Sequence, residues 1–378
     1  MITILSWQFI SSLIFLIILT YLLPKKLERL SSIVCCVVFL ALFSPISLGI
    51  LTITTIALYF SILIRKQSTS KLIVTLVFFI AILFTFKYLT TLDRASNILA
   101  LGVSYYILRE IHCLFEAYKN QLPSRKFIDL ISYMFFLPTF LAGPINRYDQ
   151  YVRDLRRKRW DSKQFSRGLE RILFGYFKVV VLSEYLIKTK LVIILQHIHV
   201  SKIITIYFNS IIYWFDLYFQ FSGYSDIAIG FSALAGFTII ENFNFPFIAI
   251  NIIDFWSRWH ISLTSWCRDY IYKPLLSFTR KPFVAISTAM ISLGLWHALS
   301  IKYILWGIYH ALGITIYHIF QKNKQKLNLS KNKAITTVCK YSSWFITINF
   351  VILSYPITTY LQQQIYFYWQ GSIKCILS

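Results

Sequence analysis

The sequence has few of the residues on which soluble enzymes build their sites. Charged side chains make up only 14% of its 378 residues, and glycine occurs 12 times. No glycine-rich phosphate-binding loop is present. The six cysteines form no Cys-x-x-Cys pair and no cluster with histidine at metal-ligand spacing. We therefore expect no disulfide framework, no metal site and no bound cofactor.

Apolar residues are abundant in this sequence, whereas charged residues are scarce. The apolar residues account for 57% of the chain, and aromatic residues alone account for 18%. Uncharged stretches close to the ~20 residues that a helix needs to cross a bilayer recur along the whole length. Abundant rings are typical of helices anchored at bilayer interfaces. The composition predicts an all-α polytopic membrane protein.

Acidic residues are also scarce, and the net charge is +23. The basic residues form short blocks between apolar segments, at 24–29, 65–71, 146–159 and 321–333. This arrangement follows the positive-inside rule and suits contact with anionic membrane lipids. It does not form the continuous basic face of a nucleic-acid-binding domain. We expect the blocks to face the cytoplasm and no nucleic acid to bind.

The blocks also predict how the chain is threaded. Residues 1–23 have no basic n-region and no small-residue cleavage site, so we interpret them as a retained helix whose N-terminus lies outside the cytoplasm. Helical pairs follow at 31–43 with 46–64 and at 71–89 with 97–118. A full crossing by 127–145 would place the most basic loop outside. Two prolines and a glycine interrupt that segment, so we predict a re-entrant or interfacial stretch that returns to the side it left, with a candidate cavity wall at 137–148.

The second half of the chain contains ionisable residues among apolar ones. Helices are predicted near 165–190 and 200–221, followed by a segment rich in small residues at 221–237 that allows close helix packing. Asp226 lies in that segment. An ionisable residue at membrane depth is expected either to pair with a cation or to face a water-filled interior.

Residues 251–275 predict one amphipathic helix. Wound at about 100° per residue, Trp256, Leu263 and Tyr270 share an apolar line. Asp254 and Arg258 lie opposite, at pairing distance. His260 lies at the margin of the apolar stripe. A second histidine, His297, lies in a run with no charged residue from 284 to 301, where desolvation is expected to keep it neutral.

Several stretches resemble the membrane-bound O-acyltransferase family, in the branch of the alginate O-acetylases and D-alanine transfer proteins. They occur in the order LGVSYYILREIHCLFEAY, FLPTFLAGPINRYDQY, FDLYFQFSGYSDIAIGF, ENFNFPF, DFWSRWHISLTSWCRDYIYKPL, GLWH and LWGIYHALG, between residues 101 and 313. The chain departs from the acetylase pattern after YKPL, where no glycine loop follows, and GPINRY echoes the D-alanine branch.

The resemblance implies a single membrane-embedded domain with about 10–11 transmembrane helices, plus re-entrant or interfacial helices around a central tunnel. N-terminal helices would occupy 1–100, the catalytic core 101–320, and a basic loop with C-terminal helices 321–378. His297 would be the catalytic base and His260 a second active-site histidine. The residues expected to line the substrate tunnel are Asp226, Trp256, Trp259, Arg258, Trp296, Pro144 and Asn146.

The implied reaction transfers an acyl group from a cytoplasmic thioester to a hydroxyl of an extracytoplasmic glycan or cell-envelope polymer. Acetyl is the acyl group that we expect first. Acetyl-CoA or an acyl-carrier protein would be the co-substrate, and a periplasmic transferase could be a partner. The implied location is a bacterial inner membrane. Two alternatives stay open: D-alanyl transfer to a teichoic-acid-type acceptor, and a transporter or flippase, although the halves of the chain show no duplicated pattern.

Overall fold

The computed structural model describes residues 4–24, 27–63, 68–91, 101–157, 160–197, 200–324 and 333–377, which are helical through most of their length and contain no β-strand. The α-helices in chain order are Trp7–Leu22, Glu28–Phe43, Pro45–Leu63, Thr69–Thr91, Val103–Tyr118, Phe127–Met134, Tyr148–Arg157, Ser162–Tyr176, Val192–Gln196, Lys202–Leu234, Ile252–Arg258, Ile261–Cys267, Lys273–Thr279, Pro282–His297, Ile301–Lys324 and Lys333–Leu377. Short 3₁₀ helices lie at Leu137–Thr139 and Pro246–Ile248, and π-helical turns at Phe177–Leu191 and Arg268–Tyr272.

Within the described residues, four helical stretches are long and apolar enough to cross a bilayer: Pro45–Leu63, Thr69–Leu89, Ile301–Asn323 and Thr337–Phe367. Trp7–Leu22 and Pro282–His297 are shorter apolar helices. The prediction of an all-α polytopic membrane protein is confirmed. The predicted number of about 10–11 spanning helices stays a prediction.

The chain forms two compact units. Unit 1 comprises Met1–Leu182 and Phe219–Asn242, and unit 2 comprises Ser183–Tyr218 and Phe243–Ser378. These boundaries do not coincide with those expected near residues 100 and 320. The expected single domain and its three parts therefore stay a prediction, and each unit is described by itself.

Glycines allow two helical segments of unit 1 to approach closely. A Cβ added to Gly175 would lie 2.8 Å from the carbonyl oxygen of Gly223, and one added to Gly230 would lie 2.7 Å from that of Gly168. The predicted close packing through small residues is thus confirmed. The predicted helix end near 221 is wrong, because Lys202–Leu234 is one helix of 33 residues. Gly223 and Gly230 lie within this helix, where they allow close contact with the neighbouring helical segment and do not end the helix.

The segment 127–145 of unit 1 does not form a spanning helix. Its regular part, Phe127–Met134, has 8 residues, or ~12 Å at 1.5 Å per residue, against the ~30 Å of a hydrocarbon core. A 3₁₀ turn at Leu137–Thr139 and irregular backbone follow. The structure agrees with the prediction that this segment is not a full crossing. Its return to the side it left stays a prediction.

Unit 2 packs helix Pro282–His297 tightly against Ile301–Lys324. A Cβ on Gly307 would lie 2.7 Å from the carbonyl oxygen of Met290, so a side chain at 307 would force the helices apart. The short connection places His297, at the end of the first helix, beside the first turns of the second.

Candidate active site

The chain leaves its helical path at Trp259 and His260. Trp259 is extended, with φ −103° and ψ 126°, and His260 is left-handed, with φ 46° and ψ 51°. The predicted single helix over 251–275 is therefore wrong. Helix Ile252–Arg258 ends before the break, and Ile261–Cys267 begins after it. A left-handed residue with a side chain costs about 1–2 kcal/mol, which packing around it must offset.

The ring of Trp259 provides that packing. It stacks on Phe255 at 5.6 Å and meets Trp214 at 5.2 Å and Phe243 at 5.1 Å, centroid to centroid. Only 6% of Trp259 is exposed. The extended backbone at Trp259 turns its ring into this cluster, so tertiary packing overrides the helical periodicity of the sequence.

The predicted division between apolar and polar faces survives the break. Trp256, Leu263 and Tyr270 are all buried. Arg258 Nε lies 2.6 Å from Asp254 Oδ1, which confirms the predicted ion pair. Arg258 also holds the loop before it, because its carbonyl oxygen accepts a hydrogen bond from the backbone N–H of Asn244 at 2.9 Å. Arg258 therefore has a structural role in unit 2, and its place in a tunnel stays a prediction.

Both predicted active-site histidines contact one indole. The ring centroid of Trp296 lies 5.9 Å from that of His260 and 5.0 Å from that of His297, in edge-to-face arrangements. The break at His260 and the end of helix Pro282–His297 thus bring together two residues that are far apart in the sequence. Trp296, predicted only as a lining residue, is their common neighbour.

The two histidines differ in burial, and in the opposite sense to the expectation. His260 is 2% exposed, whereas the side chain of His297 is exposed at the helix end. The uncharged sequence neighbours of His297 do not enclose its ring, and its neutrality stays a prediction. Desolvation acts on His260 instead: burial, together with nearby His297, lowers the pKa of His260 well below its usual value.

The predicted cavity wall lies in unit 1 and is held by a histidine that the sequence reasoning missed. Pro144 and Asn146 are both buried. The hydroxyl of Tyr133 donates to the carbonyl oxygen of Asn146 at 2.6 Å. The backbone N–H of Tyr148 donates to His112 Nε2 at 3.0 Å. His112, in a helix that is otherwise largely apolar, was the available signal for this anchor.

Asp226 lies in unit 1 within a cluster of ion pairs. Its carboxylate oxygens lie 2.6 Å from Arg171 Nη2 and 2.6 Å from Lys178 Nζ. Arg171 also reaches Glu241 at 2.6 Å. The pairing that the sequence left open is therefore present. The structure places Asp226, Pro144 and Asn146 in unit 1 and the other predicted site residues in unit 2, and the tunnel role of the whole set stays a prediction.

Two residues that contact His297, and a third that packs behind them, were not singled out from the sequence. Tyr303 stacks on His297 at 5.7 Å, and Trp306 meets the same ring at 5.8 Å. His310 follows one turn later and packs against Trp306 at 4.7 Å. All three come from helix Ile301–Lys324, which was noticed only for its resemblance to a family.

Comparison with known proteins bears on this site. The sequence pattern of the membrane-bound O-acyltransferase family matches residues 39–362. The chain belongs to the membrane-bound O-acyltransferase family. It is therefore an enzyme of the class that transfers acyl groups to hydroxyls, and a transporter without transferase activity is no longer supported.

Three relatives illustrate the kinds of acyltransferase to which the chain is similar. The teichoic acid D-alanyltransferase of Bacillus subtilis is 32% identical over 68% of each chain. The probable alginate O-acetylase of Pseudomonas putida is 31% identical over 66% of this chain and 52% of its own length. The peptidoglycan O-acetyltransferase of Helicobacter pylori is 27% identical over 68% of this chain and 53% of its own. The match thus spans about half the length of these two acetylases.

Proposed function

We propose that this protein transfers an acyl group from a cytoplasmic thioester to a hydroxyl of an extracytoplasmic cell-envelope polymer, with His297 as general base. The observation that carries the proposal is the contact of both His260 and His297 with Trp296. An exposed imidazole beside a buried one gives a base that substrate can reach, next to a neutral neighbour that helps to fix the surrounding rings.

The reaction follows from these positions. His297 removes the proton of the acceptor hydroxyl as its oxygen attacks the thioester carbonyl carbon. The C–S bond then breaks, the acyl group stays on the acceptor as an ester, and the thiolate takes the proton from the His297 imidazolium. Positioned base catalysis of this kind contributes about 10²–10⁴-fold. His260 is buried and acts through Trp296, so we assign it a positioning role.

Two acyl groups are candidates. Acetyl is favoured by the alginate and peptidoglycan acetylases among the relatives. D-alanyl is favoured by the length of the sequence match. A second D-alanyltransferase, of Streptococcus thermophilus, matches over 78% of this chain and 77% of its own length. The donor would be acetyl-CoA in the first case and a D-alanyl carrier protein in the second.

The partners follow from the same proposal. The acceptor is a glycan or a related envelope polymer outside the cytoplasm, and a periplasmic transferase could complete its modification. We place the protein in the inner membrane. Helix Tyr148–Arg157 buries Tyr151 and Leu155 and exposes Arg153, Arg156 and Arg157. Its exposed basic face suits an acidic carrier protein or the phosphates of coenzyme A.

Expression in a bacterial strain without its own envelope acyltransferases tests the function. Mild alkali releases ester-linked acetate and D-alanine from the purified envelope, and both are quantified. The wild type should add one of the two, while His297→Ala should not. His318→Phe, a change of an exposed histidine on helix Ile301–Lys324, should match the wild type. Absence of both esters from cells that contain well-folded wild-type protein would contradict the proposal.

A further inference from the structure

His310 is a buried polar residue in unit 2 without a visible structural purpose. It is 0% exposed. Among the residues that the structure describes, neither of its ring nitrogens has a hydrogen-bond partner. Buried polar side chains are nearly always hydrogen-bonded, so an unpartnered one requires an explanation. Phenylalanine would fill the same aromatic surroundings without leaving two polar atoms unsatisfied.

A second unpartnered group lies beside it. The indole Nε1 of Trp256 is buried and also has no hydrogen-bond partner within the described part of the chain. The rings of Trp256 and His310 lie 5.2 Å apart, centroid to centroid, and nearly perpendicular at 81°. An indole nitrogen can only donate, and a neutral imidazole donates from one nitrogen. Two N–H donors therefore lie together in a site that excludes water.

The pair lies next to the proposed base. Trp306 packs on His310 at 4.7 Å and meets His297 at 5.8 Å. One indole ring thus separates the two unpartnered donors from the residue that would deprotonate the acceptor. Trp306 is only partly buried, and its ring is the group that would have to move for substrate to reach this pair. Substrate would reach His310 and Trp256 when Trp306 moves aside.

We propose that His310 and Trp256 donate hydrogen bonds to the thioester carbonyl oxygen during acyl transfer. This inference rests on the proposed function. As the acceptor oxygen attacks the carbonyl carbon, the carbonyl oxygen gains negative charge, which two fixed N–H donors in a dry site stabilise. His310 gains and loses no proton in this step, since the proton of the acceptor passes to His297.

Two rates of the purified protein in lipid nanodiscs test the proposal: the rate of acyl transfer to the acceptor and the rate of thioester hydrolysis by water. Donors to the carbonyl oxygen act whichever oxygen attacks, so His310→Phe should slow both acyl transfer and thioester hydrolysis by water. Loss of one such donor typically lowers kcat by about 10²–10³-fold. The KM for acetyl-CoA, or for the D-alanyl carrier, should change by less than about 3-fold, because the donors bind the transition state more strongly than the substrate.

Three further variants test whether the N–H donors themselves cause the effect. His310→Asn, which keeps a side-chain N–H, should recover part of the rate in both readouts. Trp256→Phe should lower both rates, and its effect combined with His310→Phe should be less than the product of the two, because both donors act on one oxygen. His318→Phe, on the same helix but exposed, should behave as the wild type.

The outcomes distinguish the inference from the proposed function. Normal hydrolysis with impaired transfer by His310→Phe would overturn the inference, because it would assign His310 to the acceptor. Normal rates for a folded His310→Phe protein would also overturn it and leave a packing role. If His310→Phe fails to fold, Trp256→Phe and His310→Asn decide by the same criteria. Wild-type protein that is inactive with both donors would overturn the proposed function itself.

Discussion

His260 meets Trp296 in an edge-to-face contact, with ring centroids 5.9 Å apart. The same indole lies 5.0 Å from His297, so it is in contact with both histidines. Trp296→Phe should leave a gap on one side and let both imidazoles shift. A misplacement of about 1 Å can cost on the order of 10²-fold in rate. We expect acyl transfer to fall by at least about 10-fold with normal amounts of membrane protein.

Trp344→Phe is the matched control for that change. Trp344 also lies in unit 2, where its indole Nε1 donates to the carbonyl oxygen of Phe247 at 2.8 Å. The Trp344→Phe variant loses this hydrogen bond but should leave the rate of acyl transfer unchanged. Equal losses for the two variants would show that Trp296 matters only for the general packing of aromatic residues.

Asp226→Asn should destabilise the protein. The substitution leaves Arg171 and Lys178 without the carboxylate that each contacts at 2.6 Å. Breaking a fully buried pair costs about 3–5 kcal/mol. Because 34% of Arg171 and 28% of Lys178 remain exposed, we expect a smaller loss of about 1–3 kcal/mol.

Thermal unfolding in detergent measures this effect. Glu184→Gln breaks the exposed pair with Lys188 and should cost less than about 1 kcal/mol. Adding Lys178→Met to Asp226→Asn should restore part of the stability, since it removes the cation that faced Asp226, whereas Arg171 keeps its contact with Glu241. An unchanged unfolding temperature for Asp226→Asn would contradict the structural importance of this cluster.

His260 should make stability depend on pH. Burial and nearby His297 lower the pKa of His260 in the folded protein, whereas an unfolded histidine titrates near pH 6.5. Below that pH the unfolded chain binds a proton that the folded protein does not, so the stability present at higher pH is lost as the pH falls. The limiting slope for one proton is about 1.4 kcal/mol per pH unit.

Unfolding temperatures measured between pH 7.5 and 5.5 test this linkage. The wild type should lose more stability across the interval than His260→Gln. Parallel curves for the wild type and His260→Gln would contradict the burial of a neutral imidazole at position 260.

Reversal of the basic face of helix Tyr148–Arg157 should weaken donor binding. With Arg153, Arg156 and Arg157 all changed to glutamate, the KM for an acidic carrier protein should rise by at least about 10-fold at low salt and by less at high salt, because salt screens exposed charges. kcat at saturating donor should stay near normal. An unchanged KM in correctly inserted protein would leave these arginines with a role in membrane topology only.

The sequence was a good guide where local pattern and solvent decide the structure. Apolar length predicted the helical membrane architecture, small residues at 221–237 predicted close helix packing, and i,i+4 spacing predicted the pair of Asp254 with Arg258. Each of these depends on neighbours along one helix or on the composition of a whole segment. None requires knowledge of which distant residues meet.

The sequence failed where distant side chains decide. No proline or glycine marks the break at Trp259 and His260. The break accompanies the packing of the Trp259 ring against Trp214 and Phe243, which are distant in the sequence. The exposure of His297 could not be inferred from an uncharged run, since a helix end can emerge from such a run. The sequence around His310 does not distinguish it, because the lack of hydrogen-bond partners for its ring nitrogens among the described residues depends on how the helices pack.

The central claim is that His297 is the base for acyl transfer and that His260 supports it. The most direct measurement is the rate of ester formation on the envelope polymer by purified His297→Ala and His260→Ala in nanodiscs, each normalised to folded protein. His297→Ala should fall by at least about 10²-fold, the lower end for a positioned base, and His260→Ala should fall less. Near-normal transfer by folded His297→Ala protein would contradict the claim.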